Sequence, residues 1–144
     1  MRAQQILTLS AGDRSTTLQT YVDVTPQKIS VVGATALGQR VLSFTSDDKG
    51  LQIEASPPES AVRPVQVLTD LQLATWPLAA LQAAVANTEW RIAEPQPSLR
   101  RIFRGREPYA EVHYAGTQPP WNGRLWFVNF PQRYTLDIES HPLQ

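Results

Sequence analysis

Val65–Ala86, VQVLTDLQLATWPLAALQAAVA, is the stretch whose reading decides the fold. Apolar residues recur at Val67, Leu71, Ala74, Leu78, Leu81 and Val85, alternating steps of four and three, which is helical spacing. Leu68, Leu73, Trp76 and Ala84 fall off that stripe, and Asp70 is the one charged side chain in the segment. A helix apolar around most of its circumference needs cover on more than one side. Pro77 interrupts it. A proline inside a helix costs ~3 kcal/mol, whereas at the first helical position its missing N–H loses nothing. The residue before a proline also avoids the helical region. The pattern therefore predicts two short helices, 64–74 and 77–86, each starting near a proline. The rest of the chain reads as strands, so a sheet must supply the cover.

The bulk properties agree with one domain over residues 1–144, long enough to bury ~68–70% of its unfolded surface without staples. Thirteen bases balance thirteen acids, so no global field steers the chain towards nucleic acid. There are no cysteines, which removes thiolate nucleophiles, disulfides and cysteine metal sites. No apolar run approaches the ~20 residues of a membrane span, and Met1–Thr20 lacks the apolar core of a signal peptide.

Outward from the helices, the chain is a succession of alternating segments. Before them come Gln4–Ser10, Ser15–Val24, Lys28–Ala36, Gln39–Thr45 and Leu51–Ala55, separated by turns at Gly12-Asp13, Thr25-Pro26-Gln27, Leu37-Gly38 and Asp47-Asp48-Lys49-Gly50. After them come Glu89–Ala93, Leu99–Arg104, Tyr109–Ala115, Arg124–Phe130 and Arg133–Glu139. Pro95-Gln96-Pro97 is read as ending the first of these, and Gly116–Gly123 as a loop. Short connections force antiparallel neighbours. The fold class expected is α+β: a strongly curved antiparallel sheet of about ten strands, an incomplete barrel. Two helices enter after the fifth strand and pack in its concave opening.

Little in the sequence points to catalysis. His113 and His141 are the only histidines, too few for a usual zinc site, and no phosphate loop, nucleophile elbow or H-E-x-x-H occurs. Glu111 and His113 share a strand face, and an exposed ion pair is the expected reading rather than a proton relay. LRRIFRGR, Leu99–Arg106, is locally basic, and its arginines read as charges that keep a strand solvated. Trp76 and Trp90 read as core, and Trp121 as a loop tip. Leu37 lies in a turn, where an apolar side chain is placed to touch a membrane or a partner. No catalytic residue, metal ligand or cofactor is assigned.

The stretch VVGATALGQRVLSFTSDDKGLQIEAS, followed closely by LATWPLAALQAAVA, resembles the lipoprotein-carrier superfamily of the Gram-negative envelope, with its LolA/LolB-like fold. More narrowly, DLQLATWPLAALQAAV, WRI, RRIFRGREPYAEVHYAG and YTLDIES are similar to a family of small bacterial lipoproteins whose genes tend to accompany aryl-polyene biosynthesis. The resemblance implies an apolar cavity between sheet and helices. It also implies attachment to the periplasmic face of the outer membrane through a lipidated N-terminal cysteine, which the sequence in hand lacks. By that resemblance Leu37 is the nearest match to a membrane-contacting loop residue.

The function expected is a non-enzymatic envelope lipoprotein domain that binds or passes on a lipid, acyl chain or aryl-polyene-like group. Transfer of apolar chain out of water, ~0.8 kcal/mol per methylene, would drive it. The expected cavity lining, from alternation and helix position, is Leu42, Phe44, Ile53, Leu71, Leu78, Leu81, Phe103, Val112, Trp126 and Val128. Its partners would be a lipid or lipoprotein acyl chain, the outer-membrane surface and envelope export proteins. The alternative is a scaffold or interaction module of an export or biosynthesis complex, with no ligand.

Overall fold

A computed structural model describes residues 2–55, 64–115 and 123–143. Five strands come first: β1 (Arg2–Ala11), β2 (Arg14–Thr25), β3 (Lys28–Ala34), β4 (Arg40–Asp47) and β5 (Gly50–Ala55). Helices α1 (Pro64–Thr75) and α2 (Leu78–Ala84) follow, then β6 (Trp90–Gln96), β7 (Leu99–Arg104), β8 (Glu107–Tyr114), β9 (Gly123–Asn129) and β10 (Tyr134–Leu143). The predicted order of elements holds throughout. Pro77 stands just before α2 with an extended ψ of 142°, so it breaks the apolar segment where its ring demands.

All ten strands lie in one antiparallel sheet, ordered β5-β4-β3-β2-β1-β10-β9-β8-β7-β6. The first and last strands pair in the middle, Leu7 opposite Ile138, and the two edges, β5 and β6, are the strands that flank the helices in sequence. The sheet is unclosed and dominates the fold. Pro95 does not end β6 as expected: the strand runs on to Gln96 with a register shift after Ala93. On an edge strand the missing N–H of a proline faces no partner, so the strand tolerates it.

Burial shows that the sheet curls. Laid flat, ten strands would be ~43 Å across. Helices of 12 and 7 residues, ~18 and ~10 Å long, are too small to cover such a face. Yet Leu7, Leu18, Val31, Leu42, Ile92, Ile102, Val112, Phe127 and Ile138, from nine of the strands, are all buried in one continuous cluster. The inner face must therefore cover itself, with α1 against β4 and α2 against β6 at the two sides of the opening. Gly33 permits the close approach of β3 to its neighbours β2 and β4. A Cβ there would stand 3.3 Å from the Leu42 Cβ and 3.4 Å from the Thr20 Cγ2, and the β3–β4 register shifts just after it.

Candidate functional site

Pairing across the sheet assigns every strand residue a face. Val22, Val31 and Phe44 lie in one row, continuing to Ile53; Leu9, Leu136, Phe127 and Val112 lie in another. These rows line the inner face. Of the expected lining, Leu42, Phe44 and Val112 are there and fully buried, and Leu71 and Leu81 project into the same cluster from the helices. Leu78 is half-buried against it. Ile53 is on the inner face but 49% exposed, because β5 is an edge.

Three expected lining residues are elsewhere. Phe103, Trp126 and Val128 lie on the outer face. Trp126 stands opposite His113 and Asp137, with the Arg124 guanidinium 5.1 Å from its ring centroid; Val128 stands opposite Glu111 and Thr135. Phe103 pairs with Arg91, whose guanidinium sits 5.2 Å from the ring. Their alternating partners Ile102, Leu125 and Phe127 occupy the interior instead.

The position opposite Val112 is Arg100, an arginine on the inner face and almost wholly buried. Burying a guanidinium is costly unless its charge and donors are matched. Here Nε and Nη2 both donate to Glu94 Oε1, at 2.9 and 2.7 Å, and Nη1 donates to the Leu73 carbonyl at 2.7 Å. The Tyr114 hydroxyl donates to the next carbonyl, Ala74. Both carbonyls belong to the last turn of α1, where no intrahelical N–H can reach them and the helix end is negative. The Arg100 guanidinium also lies 5.7 Å from the Tyr114 ring centroid. One turn back, Asp70 accepts from Tyr134 at 2.6 Å and from Gln66 at 2.8 Å. Strands β7, β8 and β10 thus clasp α1 through polar groups set inside an apolar trough.

Burial pushes the Asp70 carboxyl up to about 6, although the bonds from Tyr134 and Gln66 pull it down. Tyr114 is pushed up to about 12, by burial first, with Arg100 opposing. Tyr134 is raised as well, by burial and then by the Asp70 charge, so its hydroxyl remains a donor.

Glu111 and His113 form the expected exposed pair, Nε2 to Oε2 at 3.0 Å, and Glu111 also faces Arg101 at 3.5 Å. All three are on the outer face, away from the trough. Trp121 lies outside the described residues. Leu37 is 97% exposed, at the tip of a turn closed by Gly38 N–H to the Thr35 carbonyl and Thr35 N–H to the Gln39 carbonyl. Gly38 supplies the positive φ, 84°, that this turn needs. A separate cleft of about 560 Å³ opens at the same end of the strands, between Trp90, Arg104 and Tyr109 on one side and Pro131 and Gln132 on the other.

One family's sequence pattern matches residues 2–142, that of the protein of unknown function DUF3261. The chain belongs to this family. No curated protein matches it. In this DUF3261 chain, Arg100, Glu94, Tyr114 and Tyr134 are the residues that sequence reasoning missed. Arg100 carries no signal of its own inside LRRIFR, but the lone acid Asp70 within an apolar helix was a sign that a polar partner had to await it. No described helix is long and apolar enough to cross a membrane.

Proposed function

We propose that this DUF3261 chain is a non-enzymatic envelope lipoprotein domain of LolA/LolB-like type at the periplasmic face of the outer membrane. It holds or passes on an apolar group, either an acyl chain or an aryl-polyene-like tail, between sheet and helices, and Leu37 touches the membrane. The observation that carries this reading is the kind of bond that keeps α1 in place. Its apolar side rests on an apolar trough, while its specific attachments are a handful of polar bonds at Asp70, Leu73 and Ala74. Each such bond is worth ~1 kcal/mol net, somewhat more when charged. A guest chain of a dozen methylenes gains roughly 10 kcal/mol on leaving water. Exchange of helix for guest is therefore affordable, and the unpaired edges β5 and β6 bound the opening through which α1 would lift.

A second reading, a ligand-free scaffold of an export or biosynthesis complex, draws on a different observation. Leu42, Phe44, Leu71, Leu81 and Val112 are each 0–4% exposed and already fill one another's contacts. Native mass spectrometry of protein extracted from its own membrane separates the two. The carrier reading expects co-purifying lipid mass that Ala74→Phe removes, since Ala74 is fully buried on the inner side of α1. Protein free of bound mass, with partner capture undiminished by Ala74→Phe, would establish the scaffold instead.

A further inference from the structure

The antiparallel order gathers four turns at one end of the strands: residues 12–13, 35–39, 105–106 and 130–133. Two of them raise an apolar side chain into solvent, Leu37 at 97% and Phe130 at 41% exposure. Both are held firmly. The Leu37 turn is closed by its own backbone bonds, and Phe130 N–H donates to the Tyr109 carbonyl at 2.9 Å. Arg133, a non-glycine residue at φ 56°, and the 2.8 Å bond from Gln132 N–H to the Asn129 side chain fix the second turn.

Around these tips stand Arg14, Arg40, Arg104, Arg106 and Arg133, all exposed. Arg104 is paired with Glu89 at 2.8 Å, and among the described residues the other four have no ion-pair partner. Among the described residues, Asp13 and Glu107 are the other acids beside these turns. The opposite end differs: Lys28 and Lys49 are offset by Asp47 and Asp48, and Arg2 by Asp23 at 3.7 Å. In a chain of zero net charge, the described guanidinium groups that lack an ion-pair partner thus gather at one end, together with two exposed apolar tips.

We propose that this end is a docking surface for an anionic phospholipid bilayer, with Phe130 as a second insertion point beside Leu37 and the four unpaired arginines on lipid phosphates. It rests on the reading of Leu37 as a membrane contact and extends it to a whole rim. Guanidinium groups match phosphate geometry in pairs of bonds. Leu37 and Phe130 are separated by four strand spacings, ~19 Å along the sheet. Isolated apolar points among cations, at that separation, suit a fluid interface that offers phosphate and hydrocarbon everywhere. They suit poorly the single apolar pocket of a protein partner.

The test is co-sedimentation of the full chain with vesicles of phosphatidylcholine alone and of phosphatidylcholine mixed with phosphatidylglycerol. Tighter binding to the mixed vesicles, weakening with salt, is expected. Arg14→Gln, Arg40→Gln and Arg106→Gln should each weaken it roughly fivefold. Phe130→Ser should weaken it ~10-fold, with circular dichroism unchanged because the ring is outside the core. Loss of binding in Leu37→Ser, with the Phe130 and arginine variants unaffected, overturns the rim and leaves Leu37 alone as the contact. Absence of wild-type binding to either vesicle overturns both.

Discussion

Asp70 occupies the buried side of α1, with Tyr134 and Gln66 each donating to one of its oxygens. Its carboxyl titrates at about 6 in the folded chain against 3.8 when unfolded. Because the folded value is the higher one, protonation favours the folded state. The associated stability is complete below about pH 4 and is lost as pH rises through 6, leaving a buried charge that costs roughly 3 kcal/mol at neutrality. Asp70→Asn removes that charge and keeps the shape. It is expected to raise the unfolding midpoint at about pH 7.5, and the gain over wild type should shrink to about a third by about pH 4.5. Thermal melts of both proteins across this range decide the point. A gain independent of pH would mean that the Asp70 carboxyl titrates in the folded chain where it does in the unfolded one.

Helix α1 depends on its clasp more than on its own sequence. It has no acid in its first turn and no base in its last, and the positive group that meets its negative end comes from strand β7. Arg100→Met keeps an apolar stem of similar length but leaves Glu94 and the Leu73 carbonyl without their donors. With Glu94 partly exposed, a loss of roughly 2–3 kcal/mol is expected, below the range for a fully buried pair. Hydrogen exchange should show amides of 66–75 opening in this variant while β1 and β10, central in the sheet, stay protected. Equal acceleration in helix and sheet would show that Arg100 supports the whole core and not the helix alone. The strands were legible in the sequence wherever polar and apolar residues alternate, as in Leu18–Val24. They were not in LRRIFR and RLWFVNF. In the first, the more apolar set, Leu99 and Phe103, is not the one that turns inward, because Arg100 has partners in Glu94 and the Leu73 carbonyl that no local pattern announces. In the second, both alternating sets are apolar, so period two carries no information, and the inward set is the one ending in Asn129, whose side chain accepts from Gln132 N–H.

At the scale of the molecule, the curled sheet and the helix hairpin have unequal hold on their positions. The sheet is laced by pairing across ten strands, whereas α1 and α2 cover its opening and are joined to it mainly by packing and the clasp. Whatever weakens the clasp should open the trough before the sheet melts. Ionisation of Asp70 does so from within α1, with Tyr134 facing it from β10 and remaining protonated. His113 and His141 lie on the outer face, paired with Glu111 and Glu139, and do not touch the helix. Uptake of an apolar polyene probe should therefore be faster at about pH 7.5 than at about pH 5, and undocking the helix recovers only part of the ~3 kcal/mol, so a roughly tenfold change is expected. Diphenylhexatriene is suited to the measurement because it has no titratable group and fluoresces on entering apolar surroundings. Asp70→Asn should take up the probe slowly at both pH values, and Arg100→Met rapidly at both. If wild type and Asp70→Asn respond to pH alike, the trough is filled by routes that leave α1 in place, and the helix is a permanent part of the core.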